Sequence, residues 1–427
     1  MGFLIPVLHE RFKESKILVL HIEEFEDTPL QDVHTLTSLD TEEINKFLEN
    51  HIQNINADRI RIIEWRPSLN YFKDAYVKIL SAVAAFLKRA DAEKRTTAVF
   101  GKRWIKNFFR NIGNINHTLL YRQMEIPVII TGSGPSLEQA LPVIQKAQGN
   151  CLIIAASSSV LALSSAGVTA DIVIATDGGS WALKHIYPFY RDKKYANASA
   201  FAVNLCAALP SQCADSAQLI LNDGSFWQNV VLHEFNLPSV IIPQRGTVTA
   251  TAVELAFVLS SGNIYLAGLD FSVNDIRTHA KPYGFDNLFY GKANRFVPFY
   301  SESYTRSRFL HGGGSMDIYA SWFKEQLNKW SPNRLFAIGG NKIFEHGEPS
   351  SRRLKKTDDF FKTVEVENSN AFCRKGIQIL LNALKQPEYS QNIKRELNSL
   401  LFSGENEVTE TELETVLKET CIKALHE

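Results

Sequence analysis

Residues 126–137 read IPVIITGSGPSL, and the rest of the chain is interpretable as support for this stretch. Val128–Thr131 are four β-branched residues in a row, suited to a buried strand. Gly132, Ser133, Gly134, Pro135 and Ser136 follow, then an amphipathic run from Leu137 to Ala147. The pattern is strand, tight turn, helix start. Glycine permits the close approach such a turn requires, proline is at home in a first helical turn, and Ser133 or Ser136 is placed to cap it. Open amides together with the helix dipole suit this point to a phosphate or carboxylate. The spacing is not that of a dinucleotide fingerprint, and the Lys-Ser/Thr of a P-loop is missing. Taken alone, it equally fits an ordinary strand-to-helix turn.

Outward from there, residues 126–345 alternate strands and helices. The strand-like runs are Val128–Thr131, Leu152–Ala155, Ile172–Thr176, Ala200–Val203, Leu219–Leu221, Val240–Ile242, Ile264–Ala267 and Leu335–Ile338. Helical stretches include Trp181–Tyr190, Trp227–Phe235, Val248–Leu259 and Ile318–Trp330. Such alternation predicts an α/β fold with a mostly parallel, Rossmann-like sheet covered on both faces. Ligands of these sheets bind beyond the carboxyl ends of the strands. Four of those ends carry small or polar residues: Ser157 and Ser158; Asp177-Gly178-Gly179; Asn222-Asp223; and Arg245-Gly246-Thr247 at a second helix start. A fifth is Gly268-Leu269-Asp270. Each has a plain structural reading as a turn or cap. Their succession points to a phosphate-bearing ligand.

Ser272–Ser315 shows little regular pattern, and structureless stretches beyond about 12–15 residues are usually functional or disordered. Its aromatics, among them Tyr283, Phe299 and Tyr300, and its cations, among them Arg277, Lys281 and Arg306, argue against disorder. They suggest a substrate loop or lid ending at Gly312-Gly313-Gly314. His279, nine positions after Asp270, is either a general base or a histidine hydrogen-bonded within its loop. The chain contains no Asp-x-Asp, the usual cation ligand of metal-dependent sugar transferases.

The flanks complete the plan: an N-terminal α/β unit over 1–92, basic connecting helices over 93–125, the nucleotide-binding core over 126–348 and a helical region over 349–427. In the first, Lys16–Ile22 and Arg59–Trp65 read as strands, and Thr41–Ile52 and Tyr71–Ala90 as helices. The run Lys94–Arg110 interleaves bases with Phe100, Trp104, Ile105, Phe108 and Phe109. It reads either as an anion-binding surface or, better, as a helix packing its apolar face. Lys+Arg and Asp+Glu both number 46, so no global field favours nucleic acid or a membrane surface. Five scattered cysteines suit a reducing compartment. The N-terminus does not read as a signal peptide, and the uncharged stretch Gly149–Ala170 reads as a buried strand and helix start, not a membrane span. A cytoplasmic protein is expected, with an oligomer open.

Four segments together resemble a known family: TGSGPSLEQALPVI (131–144), ADIVIATDGG (170–179), GTVTATAVELAFVLSSGNIYLAGLDFS (246–272) and RTHA (277–280). They resemble the central domain of motility-associated factor (Maf) glycosyltransferases and of MptE-like 6-hydroxymethylpterin diphosphokinases, over about Ile126–Ala280. Bacterial sialyltransferases have similar GPSL turns and a related fold. The resemblance implies transfer of a nonulosonic acid from a CMP-activated donor to Ser or Thr of flagellin, without a required cofactor. The diphosphokinase alternative implies ATP and Mg²⁺, with Asp177, Asp223 or Asp270 as oxygen ligands. By motif, Gly132–Ser136 hold the donor phosphate, while Ser157, Ser158, Asp177, Gly178 and Gly179 line the nucleotide pocket. Gly246 and Thr247 close it, and Asp270 and His279 face the reacting centre. Arg277, Lys281, Tyr283 and Tyr300 belong to the substrate loop. Leu269 stands where Maf sequences commonly have Gln, and Asp177-Gly178-Gly179 is nearer the Asp-Gly-Ala of the diphosphokinases.

Overall fold

The computed structural model describes residues 4–24, 30–52, 59–191, 193–243, 246–272, 274, 276–311, 315–327, 330, 332–339, 343–349, 361–366, 369–402 and 408–426. The chain divides into two compact units. One comprises Met1–Gly101 with Leu397–Thr409, the other Lys102–Glu396 with Glu410–Glu427.

The first unit holds a two-stranded parallel sheet, β1 (Ile17–His21) and β2 (Val33–Thr37), with Ile17 opposite Val33. Helix Thr41–His51 begins at Asp40, whose carboxylate accepts the Glu42 and Glu43 amides at 2.9 and 3.0 Å. Ile44 and Leu48 from that helix bury against Ile79, Ala82 and Phe86. The expected strand Arg59–Trp65 is a correction: its described residues are not in a sheet, and Ile62, Ile63 and Trp65 are 52%, 55% and 43% exposed. An apolar run without a ladder partner stays merely extended, and β1 pairs instead with β2, which has only two strong apolar residues.

The second unit is built on a ten-stranded sheet. Its strands are β3 (His117–Tyr121), β4 (Val128–Thr131), β5 (Leu152–Ala156), β6 (Ile172–Ala175), β7 (Ala200–Asn204) and β8 (Gln218–Asn222). They continue with β9 (Ser239–Ile241), β10 (Ile264–Ala267), β11 (Leu335–Ala337) and β12 (Phe361–Glu365). The order is β11-β10-β4-β5-β6-β7-β8-β3-β12, with β9 also on β8. All pairings are parallel except β3 with β12. The α/β class and mostly parallel sheet read from the sequence are therefore observed, as is a helical C-terminal region (Ser369–Ala383, Pro387–Phe402, Glu410–His426).

All four residues of β4 are buried, with Val128, Ile129 and Ile130 wholly enclosed. Each such side chain contributes roughly 1.5–3 kcal/mol on leaving water. From β4 the chain winds outward through β5 to β9, then returns along helix Val248–Leu259 to lay β10 on the opposite side of β4. The strand order thus reverses at β4/β10, and a crevice opens at their carboxyl ends.

The basic segment is not a separate set of connecting helices. It is the later part of one 40-residue helix, Lys73–Ile112. Ile105, Phe108, Phe109 and Ile112 are fully buried, while Lys102 and Arg103 remain exposed. The apolar-face reading describes it. The long loop is also a correction: it contains helices Asp286–Lys292 and Phe299–His311. Gly312–Gly314, Arg245 and the basic run at 352–356 lie outside the described residues.

Candidate functional site

At the crevice the two returning chains are stitched together amide by amide. Gly132 N–H donates to the Ala267 carbonyl at 2.8 Å, Gly134 N–H to that of Gly268 at 2.8 Å, and Ser136 N–H to Asp270 Oδ2 at 3.0 Å. The glycines are required by this approach. A Cβ on Gly134 would sit 1.9 Å from Asp270 Oδ2, and one on Gly268, whose φ is +70°, 2.4 Å from the Gly132 carbonyl. Neither Ser133 nor Ser136 caps helix Leu137–Ala147 through its side chain, as the sequence suggested. The cap is Asp270, brought from another strand. Three amides of the 132–136 turn, expected from the sequence to face a phosphate, thus already have protein acceptors. Burial raises the Asp270 pKa, and the bonds from Ser136 offset part of that rise.

The RTHA segment folds back over the same turn. Ala280 N–H donates to the Ser133 carbonyl at 2.8 Å. Glu138, in the first turn of the helix, accepts from Arg277 Nη1 at 2.7 Å and from the Lys281 amide at 3.0 Å. These three bonds fix His279 between them. Its ring stacks on Tyr283 with centroids 4.0 Å apart, and its Nδ1 lies 2.8 Å from Thr278 Oγ1. Burial, then the charges of Arg306, His185 and Lys281, lowers its pKa to about 3. The imidazole is neutral at physiological pH.

Beside it opens a cavity of about 280 Å³, whose lining includes His279, Tyr283, Phe299 and Ser303 and three cations, Arg277, Lys281 and Arg306. Phe299, Ser303 and Arg306 come from one face of helix Phe299–His311, at spacings of four and three. Lys281 pairs with Asp286 and stands 5.6 Å from the Phe299 ring. Arg306 lies 3.8 Å over Phe289, and no carboxylate among the described residues pairs with it. Tyr300, expected in the substrate loop, is 62% exposed, and its neighbour Phe299 lines the cavity instead. The loop continues onto helix Leu183–Tyr190: Tyr283 and Phe285 pack on His185 at 5.1 and 5.0 Å. Burial lowers the His185 pKa to about 4, against the pull of Asp177.

The remaining expected site residues stand along the neighbouring strand ends. Ser157 is buried, its amide donating to Ile174 at 3.0 Å, and Ser158 is half-buried. Ser159 ties β4 to β5 through Thr131. Asp177 is exposed and accepts the Gly179 amide at 2.8 Å, a local turn. At Gly178 the close approach is made by protein: a Cβ would meet the Trp104 indole at 2.5 Å. Thr247 caps helix Val248–Leu259 by accepting the Ala250 amide at 3.0 Å, beside exposed Gly246. Thr249, in the first turn of the same helix, would meet a Cβ on Gly132 at 3.1 Å, so a second helix start reaches the crevice. Asp270, Asp177 and Asp223 follow β10, β6 and β8. Strand spacing separates the first two by about 14 Å and the last two by about 10 Å. The three carboxylates therefore do not converge on one point, and among the described residues no three His, Cys, Asp or Glu side chains gather as a metal site.

Fold and site define an α/β protein with a mostly parallel sheet whose candidate site lies at the strand-order reversal. Residues 102–275 match the model of the family described as 6-hydroxymethylpterin diphosphokinase MptE-like, so this part of the chain is similar to that family, as its motifs suggested. An uncharacterized protein of Treponema pallidum (strain Nichols) is 25% identical over 351 residues, 79% of this chain and 74% of its own. The solved Maf glycosyltransferase from Magnetospirillum magneticum AMB-1 superposes with a TM-score of 0.51 at 12% identity, over 92% of this chain. The chain spans 65% of that structure's length, and the likeness establishes a Maf-like fold. The sialyltransferase CstII from Campylobacter jejuni, solved with cytidine-5′-monophosphate, matches 57% of this chain and 91% of its own at 15% identity, with a TM-score of 0.28. Among the described residues no helix is long and apolar enough to cross a membrane.

Proposed function

We propose that this chain is a glycosyltransferase that moves a nonulosonic, sialic-acid-like sugar from a CMP-activated donor to Ser or Thr of flagellin in the cytoplasm, with no bound metal. The observation that carries the reading is the convergence, at one strand-order reversal, of the 132–136 turn, a second helix start at Thr247 and the His279 cavity. The donor phosphate lies between the two helix starts, where charge grows as CMP leaves. The acceptor oxygen attacks the anomeric carbon, the bond from that carbon to the phosphate oxygen breaks, and its electrons leave with CMP. Direct displacement inverts the centre. The acceptor proton passes to His279. Its low pKa is set by burial and by the cations facing it, and a bound donor brings negative charge that restores basicity.

Calorimetry with CMP, CDP, ATP and GTP, each with and without Mg²⁺, tests the reading. CMP binding that ignores the metal supports it. Binding of ATP alone, and only with Mg²⁺, overturns it in favour of the diphosphokinase reading, which the family match over 102–275 favours.

A further inference from the structure

We infer that the cavity beside His279 is a pocket for a single carboxylate-bearing ring, and that Arg306 is the residue that selects the carboxylate. The inference rests on the transferase reading for the identity of the ring and on the cavity itself for the rest.

Three cations border the space, and they differ in what they have left to give. Arg277 is held by Glu138 at 2.7 Å, and Lys281 is paired with Asp286. Arg306 has an aromatic ring beneath it at 3.8 Å but no carboxylate among the described residues. A guanidinium stacked on a ring keeps the edge of its fork open, and that edge matches a carboxylate in two parallel hydrogen bonds. The neighbouring groups agree with an anion. Thr278 and Ser303 offer hydroxyls. Tyr283 and Phe299 supply apolar walls for a ring.

Size argues for one ring. Pockets for larger organic ligands run from about 300 to 1,000 Å³. At about 280 Å³ this cavity stands at the small end of that range, which suits one ring within it and a nucleotide outside it, over the crevice. Placement agrees as well. The Ala280 amide bound to the Ser133 carbonyl at 2.8 Å puts the cavity against the turn assigned to the phosphate. A sugar whose anomeric carbon is bonded to that phosphate reaches into the cavity directly, with its carboxylate toward Arg306.

The test is calorimetry on the full chain with N-acetylneuraminic acid, its methyl ester and inorganic phosphate as probes, together with CMP as a separate arm. The acid is expected to bind at least tenfold more tightly than the ester. Arg306→Gln is expected to abolish that preference by weakening the acid alone, and Arg306→Lys to retain part of it, because the charge remains while the fork is lost. Far-UV circular dichroism and a melting curve establish that both variants are folded. Equal binding of acid and ester, or a preference unchanged in Arg306→Gln, overturns the inference. So does inorganic phosphate binding as tightly as the acid, since the pocket would then read charge and not a ring carboxylate. The CMP arm separates the two readings. CMP binding with no Arg306-dependent preference sinks the carboxylate pocket alone. An Arg306-dependent preference without CMP binding keeps the pocket and sinks the nucleotide-sugar transferase.

Discussion

At the scale of single residues, His279 is the most sensitive position. Its pKa is about 3 in the fold against an ordinary 6.5, and His185 behaves similarly at about 4. Between those values and 6.5 the unfolded chain binds protons that the folded chain does not, so stability falls as pH drops through that window and is fully present at neutral pH. Thermal melts from pH 7.5 to 4 are expected to show a falling midpoint, less steep in His279→Gln. The proton resonances of His279 should show no titration between pH 8 and 5 in the free protein. Saturating anion should raise its pKa. A midpoint that rises with acidity would contradict the buried, cation-facing imidazole. In transfer assays His279→Ala is expected to lose about 10²–10⁴-fold in kcat, the range of a general base.

Glycine positions provide a second residue-scale test with a built-in control. Gly134→Ala places a methyl 1.9 Å from Asp270 Oδ2 and 2.7 Å from the Gly268 carbonyl. The two loops must part, and the expected cost is about 2–4 kcal/mol together with loss of ligand binding. Gly291, in helix Asp286–Lys292, has nothing within 4 Å of its added Cβ. Gly291→Ala should therefore stabilise by about 0.5–1 kcal/mol. Chemical denaturation of the two variants measures both effects.

At the scale of elements, the end of helix Lys73–Ile112 acts as a clamp on strand ends. Asn107 Nδ2 donates to the carbonyls of Gly178 and Cys206 at 3.2 and 2.9 Å, and Asn111 Nδ2 to those of Leu205 and Ala207, both at 2.8 Å. Four loop carbonyls after β6 and β7 are satisfied by two buried amides. Asn111→Leu leaves two of them without a donor, and a loss of about 1–3 kcal/mol is expected in denaturant titrations. Phe108→Ala, which opens a cavity against Trp227 at 4.7 Å, should cost about 3–5 kcal/mol. Helix Phe299–His311 was hidden in the sequence because its polar and aromatic residues alternate without a strong apolar stripe. One narrow face of it, Phe299, Ser303 and Arg306, lines the cavity, and Arg306 lies over Phe289 of helix Asp286–Lys292.

At the scale of the whole molecule, 46 basic and 46 acidic residues leave no net field. Nucleic-acid binding relies on releasing counterions from many phosphates at once. A labelled single-stranded oligonucleotide should therefore show no binding at physiological salt by fluorescence anisotropy, even though the Lys94–Arg110 run is basic. Tight binding would mean that the exposed bases of that helix act as a surface after all. Anion binding at the cavity should weaken only gently with added salt, as expected for one ion pair.

The sequence by itself determined the class of fold. Short β-branched runs alternating with amphipathic helices admit little else, because strand and helix periodicity are local properties of the chain. It also marked the 132–136 turn, since glycine and proline carry their conformational meaning with them, and the RTHA segment through its resemblance to a known family. β3 and the edge strand β12 escaped, being short and partly exposed, as did β2, while Arg59–Trp65 looked like a strand for want of knowing its partner. Only the tertiary structure decided that Asp270, not Ser136, caps the helix after β4, that Glu138 holds the RTHA loop, and that Arg306 faces His279. Those contacts join residues between 27 and 143 positions apart. Distances in sequence of that size carry no local signal; the contacts exist because parallel strands bring their carboxyl ends to one edge, whatever their order along the chain.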